Sequence, residues 1–239
     1  MSRWLDEIRR LDPERDHQRI VYLDACFEFP WDTTRALEFA LYRTYAVPSI
    51  GRLLAQTGEL TERPQKRYDD TDLILSTICE HGYDSREGRA AIRQMNRIHG
   101  RFEITNDDLL YVLSAVTFEP IRWNERFGWR PLIDVEREST FLFWRAVGRL
   151  MAIRDIPETY EQFEHFNREY ERWLAFENRW LAEYDAVWTM SDADRAVAIN
   201  AGRRDPARTF SVPNGVDTER FHPCDSAAAV PEILYVGSF

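Results

Sequence analysis

Apolar residues recur at three- and four-residue spacing through the first three quarters of the chain, the period of helices that bury one side. Pro13-Glu14 opens one such segment, with Ile20, Leu23, Cys26 and Phe27 on one side, and it stops near Phe29-Pro30. Asp32 or Thr33 suits the cap of the next, which runs through Leu37, Ala40 and Leu41 to about Tyr45. Pro48 fits the first turn of a short helix carrying Ile50, Leu53 and Leu54, and Gly58 stands where a helix-ending glycine is expected. Residues 61–66 are polar, contain Pro64 and predict a loop, after which Asp70 or Thr71 caps a helix closed by Gly82. Asp84 or Ser85 caps a helix to about Gly100. Thr105-Asn106-Asp107-Asp108 has the form of a capping box. The helix behind it carries Leu109, Val112, Leu113 and Val116 and is expected to end before Pro120. Asp134 caps a segment with Phe141, Trp144 and Val147, and Pro157 begins a long one through Phe163 and Trp173.

The pattern changes near residue 180. Residues 186–190, 209–212 and 233–237 are short runs with β-branched members, separated by a helix start at Ser191 and a turn at Pro213-Asn214-Gly215. The chain therefore divides into a helical unit, 1–180, and a partial α/β segment, 181–239. The last run ends at the end of the chain, so this segment reads as part of a larger α/β protein. The fold class is mainly α, a helical bundle with a short truncated α/β fragment.

Composition narrows the function classes. Apolar residues make up 44 %, and 14 Phe, 10 Tyr and 8 Trp supply enough ring area for a core and for the wall of a flat ligand. A net charge of −10 without a long basic run argues against nucleic-acid binding, which needs clustered cations. Cys26, Cys79 and Cys224 are scattered and form no CxxC pair, so neither a zinc site nor a disulfide framework is expected, and a reducing, cytoplasmic setting fits. The N-terminus shows no apolar leader, and no run approaches the roughly 20 apolar residues of a membrane span. A hydrophobic substrate would still permit peripheral association with a membrane.

His99 is the first candidate for chemistry. Ile92, Met95 and His99 share one face of their helix, so the imidazole points inward, where it can ligate a metal or simply bond to a neighbour in the core. Arg67 and Thr71, four apart at the expected helix start, can share a face and meet an anion, or can be a surface cation and a cap. Arg93, Arg97 and Arg101 around His99 can hold carboxylates or form a solvated helix face. Trp123, Trp129, Arg130, Trp144, Arg145 and Gly148 form an aromatic and basic set for which core packing is the default. His17, His81, His165 and His222 sit in polar contexts, and no HExxH, GxSxG, P-loop or GxGxxG is present.

The order of several motifs resembles the mpaB / rubber-oxygenase family over about residues 12–178. They are Leu11-Asp12-Pro13, Arg43-Thr44-Tyr45-Ala46-Val47-Pro48-Ser49-Ile50, Arg67-Tyr68-Asp69-Asp70-Thr71, Met95-Asn96-Arg97-Ile98-His99-Gly100, and Arg122-Trp123 through Gly128-Trp129-Arg130. Glu136, Phe143-Trp144-Arg145 and Gly148 continue the series. The resemblance implies a helical fold with a globin-like core and a b-type haem whose iron His99 would hold. Arg67 and Thr71 match an Arg-x-x-x-Thr pair on the distal side that would orient the porphyrin or the oxygen; with a haem present, the carboxylates open to Arg97 and Arg101 are its propionates. The rubber oxygenases carry a lysine beside that threonine; Asp70 stands here, so a lysine-capped iron does not carry over, and no match for their distal glutamate is found. The implied activity is O2-dependent oxidation of an isoprenoid-like or other alkene, with cleavage of the double bond.

Residues from Asp185 to the chain end resemble the middle of a GT-B-type glycosyltransferase, which suggests a fusion, a truncation or an assembly error. Two alternatives stand beside the haem oxygenase: a truncated glycosyltransferase with a helical accessory module, and a non-catalytic helical protein that binds lipid or haem.

Overall fold

In the computed structural model the chain is described over residues 2–177, with the short stretches 186–189, 207, 209–211 and 233–236. Ten α-helices and three strands are present among these residues. Ser2 caps α1 (Arg3–Ile8), an element that the sequence pattern left out. Asp12 caps α2 (Pro13–Leu23), its carboxylate taking the amide of Glu14 while Pro13 occupies the first turn. A π-helical turn, Asp24–Glu28, follows directly. α3 (Pro30–Tyr45) starts at its proline and has no side-chain cap. Asp32, expected to cap it, instead accepts from the Trp123 indole at 2.9 Å.

α4 (Pro48–Thr57) ends on Gly58 at φ +68°, as the sequence predicts. The expected loop at 61–66 is not a loop: α5 (Glu59–Glu62) fills its start, and α6 (Pro64–His81) begins at the proline. The physical reason is that a proline is tolerated in a first turn, where its missing N–H has no partner to lose. Ser85 caps α7 (Arg86–His99), accepting from the Gly88 amide at 2.8 Å. Thr105 caps α8 (Asn106–Arg126), which runs through Pro120 instead of stopping before it. Fourteen of its residues are buried. That burial outweighs the roughly 3 kcal/mol penalty of an internal proline, and Asn124 Nδ2 donates back to the Pro120 carbonyl at 2.9 Å.

Glu136 organises the start of α9 (Asp134–Leu150) by accepting the Ile133 amide at 2.7 Å. α10 (Tyr160–Glu177) begins three residues later than its proline suggested, after Thr159 accepts the Gln162 amide. The core gathers Ile78, Leu110, Phe118, Phe141, Phe143 and Phe163 around the fully buried middle of α8. Gly148 on α9 serves helix packing, since an added Cβ would lie 2.4 Å from Leu113 Cδ2.

The strands β1 (Ala186–Thr189), β2 (Thr209–Ser211) and β3 (Ile233–Val236) form a parallel sheet in the order β2-β1-β3. β3 therefore has a partner, Val187 opposing Leu234 and Trp188 opposing Tyr235. The expected boundary near residue 180, the helix start at Ser191, the turn at Pro213-Asn214-Gly215, His222 and Cys224 lie outside the described residues.

Candidate functional site

Helices α6 and α7 bring together the residues that the sequence singled out. Gly82 closes α6 at φ +79°, and Ser85 caps α7, so a four-residue connection turns one helix back along the other. Gly88 makes the turn possible: a Cβ there would sit 2.0 Å from the Gly82 carbonyl oxygen. The start of α6 then lies beside the end of α7, where His99 is the last helical residue.

His99 is half-buried on the face of Ile92 and Met95, as its periodicity predicts. Its Nδ1 is buried and has no hydrogen-bond partner among the described residues. A buried polar atom left in that state costs about 1–3 kcal/mol, so an unmet nitrogen asks for a partner from elsewhere. Burial first, and the positive charge of Arg67 second, push the His99 pKa below its ordinary value. The ring is therefore neutral at pH 7 and keeps a lone pair.

Arg67 lies inside α6, not at a loop end, and Thr71 is one turn further on. The helix-start anion site expected of this pair is thus displaced. The Arg67 guanidinium donates to the Thr71 hydroxyl, and that hydroxyl also donates to the Arg67 carbonyl at 3.0 Å. Thr71 consequently holds the guanidinium in place rather than capping anything. The same guanidinium faces Tyr45 at the end of α3, whose pKa burial raises and Arg67 partly lowers. Tyr45 belongs to a motif that the sequence offered, yet nothing in its spacing placed it beside Arg67. Arg93, Arg97 and Arg101 are all exposed.

α4 supplies an apolar surface that the core does not cover. It contains no buried residue, and Ile50, Leu53 and Leu54 are only half-buried. A shallow groove of about 600 Å³ near Gln18, Tyr22, Glu80 and Ser85 lies at the opposite end of α6 and contains none of these groups.

A second polar cluster escaped the sequence reading. Arg130 donates to Glu136 at 2.6 and 2.7 Å and to Glu28 at 3.0 Å, all within the interior. Ser2 adds a hydrogen bond to Glu28. Asp24 joins them with both carboxyl oxygens buried beside Glu136, and burial followed by the Glu136 charge raises its pKa well above the usual range. Arg130 and Glu136 were legible as motif members, but the π-turn that adds Asp24 and Glu28 has no sequence signal.

Comparisons with known proteins place the chain among relatives. Residues 35–228 match the family described as "ER-bound oxygenase mpaB/B'/Rubber oxygenase, catalytic domain". The chain is 31 % identical over 189 residues to an ER-bound oxygenase mpaB of Penicillium roqueforti, covering 73 % of this chain and 62 % of that protein. It is 30 % identical over 199 residues to an ER-bound oxygenase mpaB of Penicillium brevicompactum, covering 77 % of this chain and 50 % of that one. The mpaB' protein of the same organism is 30 % identical over 189 residues, covering 73 % of this chain and 44 % of the relative. The chain thus spans about half the length of the curated relatives it matches. The family match continues to residue 228, through most of the stretch that resembled a glycosyltransferase, and nothing found supports that second resemblance.

Proposed function

The chain belongs to the mpaB / rubber-oxygenase catalytic-domain family, and from that premise we propose that it is a haem b-dependent oxygenase acting with O2 on a hydrophobic, isoprenoid-like or other alkene. The observation that carries the reading is the His99 imidazole: inward on its helix, neutral at pH 7, and with a buried nitrogen that no group among the described residues claims. A neutral imidazole at a helix end is a suitable ligand for haem iron. The donor set therefore fits the group, with His99 as the iron ligand. When bound, haem supplies the redox chemistry that lets O2 react with an alkene double bond and cleave it.

The protein's own part follows from three neighbours. Arg67, held by Thr71, keeps a proton off His99 by placing a fixed positive charge beside it, so the ring stays a ligand rather than an imidazolium. The same guanidinium offers donors to an anionic oxygen in the site. The Tyr45 hydroxyl, whose pKa burial raises, keeps its proton and adds a donor next to Arg67. Half-buried Ile50, Leu53 and Leu54 give α4 an apolar surface that suits a hydrocarbon chain and excludes water around it. The exposed Arg97 and Arg101 are assigned to the haem carboxylates.

Hemin titration tests the reading. The wild-type protein is expected to develop a Soret band with a one-to-one end point, and H99A to lose the ligand-specific spectrum while keeping its helical circular dichroism. A wild-type protein that gives no spectral change with hemin, or an H99A variant whose spectrum equals the wild type, would remove His99 from the iron.

A further inference from the structure

Tyr83 and His17 form a pair that the haem reading does not use. Tyr83 lies in the α6–α7 connection and His17 on α2, both half-buried, with their rings stacked at 5.8 Å. The phenol oxygen is 2.6 Å from His17 Nε2, and the Pro13 carbonyl oxygen is 3.0 Å from Nδ1. A carbonyl only accepts, so Nδ1 carries the hydrogen. In the neutral ring Nε2 is therefore bare and receives the Tyr83 O–H. Burial first, and the Asp84 charge second, raise the Tyr83 pKa, so the phenol holds its proton at rest.

A phenol that loses an electron becomes a strong acid, so the loss is favourable where a base within hydrogen-bond reach takes the proton at once. Other tyrosines are placed less well for this. Tyr45 and Tyr111 lie beside the guanidinium groups of Arg67 and Arg43, whose charge opposes removal of an electron. Tyr68 donates to Glu38, but that carboxylate also holds Arg35 at 2.6 Å, and a carboxylate is a weaker base than an imidazole by about two pH units. Rings also connect Tyr83 to the interior. Phe143 lies 5.5 Å from it and Trp144 5.4 Å from Phe143. Both belong to the buried cluster that contains Ile92 and packs against Met95, the helix face that His99 shares. On the outer side Gly82 and Asp84, the chain neighbours of Tyr83, line the shallow groove with Gln18 and Tyr22, which brings small solutes close to the pair.

We propose that Tyr83 is a one-electron donor that quenches oxygen-centred radicals, with His17 as the acceptor of its proton. The radicals are the peroxyl species that O2 forms with alkenes, so their source, though not the pair itself, rests on the alkene-oxidation reading above. A peroxyl radical gains the electron of Tyr83 and a proton from water and becomes a hydroperoxide. The phenol O–H bond breaks, its proton passes to His17 Nε2, and a neutral phenoxyl radical and an imidazolium remain. A thiol or enediol reductant at the groove returns one electron, and the imidazolium returns the proton to the phenol oxygen. The proton that the reductant loses replaces the one drawn from water.

Photo-oxidation of the haem-free protein by ruthenium tris-bipyridine and persulfate, followed by freezing and electron paramagnetic resonance, tests the pair at mildly alkaline pH, where an imidazole is neutral. The wild-type protein is expected to give a tyrosyl spectrum whose high-field g values report a hydrogen bond from an imidazolium. Y83F should lower the tyrosyl signal at least fivefold and H17L at least threefold, whereas Y68F and H99A should keep it; circular dichroism checks that each is folded. With peroxyl radicals from a water-soluble azo initiator, peptide mass spectrometry should find Tyr83 the first tyrosine modified. A folded Y83F or H17L with the wild-type signal, a signal lost in Y68F, or a Tyr83 that peroxyl radicals leave intact would each overturn it. Should Y83F or H17L misfold, a wild-type radical without the imidazolium hydrogen bond would overturn it equally. A protein that gives the Tyr83 radical but takes up no hemin would fail the haem reading alone and leave the pair standing.

Discussion

At the scale of single residues, the chemistry turns on how Arg67 conditions His99. A histidine whose pKa falls on folding takes up a proton more readily when unfolded. Its contribution to stability is complete above the ordinary value of about 6.5 and is lost as pH falls through the folded value. The same shift protects ligation, because a proton competes for the lone pair only below that lowered value. In the apo protein, the His99 ring resonances followed by NMR should therefore titrate with a midpoint below about 6.5. R67M should move the midpoint upward, though not the whole way, because burial is the larger cause and remains. An R67M midpoint equal to that of the wild type would show that the guanidinium does not act on the ring.

At the scale of elements, the α6–α7 junction decides whether Arg67 and His99 meet at all. G88A would press a methyl group onto the backbone carbonyl of Gly82, and neither partner can move without parting the two helices. G148A would press on the tips of the Leu113 and Ile156 side chains, which can rotate. Both substitutions gain helix propensity, yet G88A should destabilise by about 3 kcal/mol and G148A by about 1 kcal/mol in urea unfolding. G88A should also weaken hemin binding, since the helices it separates carry the two halves of the site; equal costs for the two variants would contradict this account. These elements show what a sequence discloses. The α7 face of Ile92, Met95 and His99 was readable because a helix projects every third or fourth residue to one side. The start of α6 was misread because Pro64 resembles a loop breaker when its neighbours are polar, and the misreading placed Arg67 outside the helix. Pro120 misled in the opposite sense, since burial along α8 is tertiary information that local propensity does not contain. Tyr45 was visible only as part of a motif, because its approach to Arg67 joins the end of α3 to α6 across the chain.

At the scale of the whole molecule, the Asp24–Glu28–Arg130–Glu136 cluster ties the N-terminus, the π-turn, the loop before α9 and α9 itself into one unit. Three carboxyl groups surround one guanidinium, and Arg130 reaches only Glu28 and Glu136. For Asp24 the Arg130 charge only partly offsets burial and the neighbouring carboxylates, so holding a proton is the less costly state for it in the interior. A carboxyl whose pKa rises on folding contributes stability that is fully present below its unfolded value of about 3.9. That contribution is lost as pH climbs through the folded value. Other groups titrate over the same span, so the comparison that isolates Asp24 is with D24N, which is permanently neutral and nearly the same shape. Urea unfolding at a series of pH values from acid to alkaline should show the wild type losing ground to D24N as pH rises. The steepest divergence for one proton is about 1.4 kcal/mol per pH unit. By contrast R130M, which leaves buried carboxylates without their cation, should cost about 3–5 kcal/mol. Parallel pH profiles for the wild type and D24N would mean that Asp24 is ionised in the fold, with Arg130 then holding three interior carboxylates.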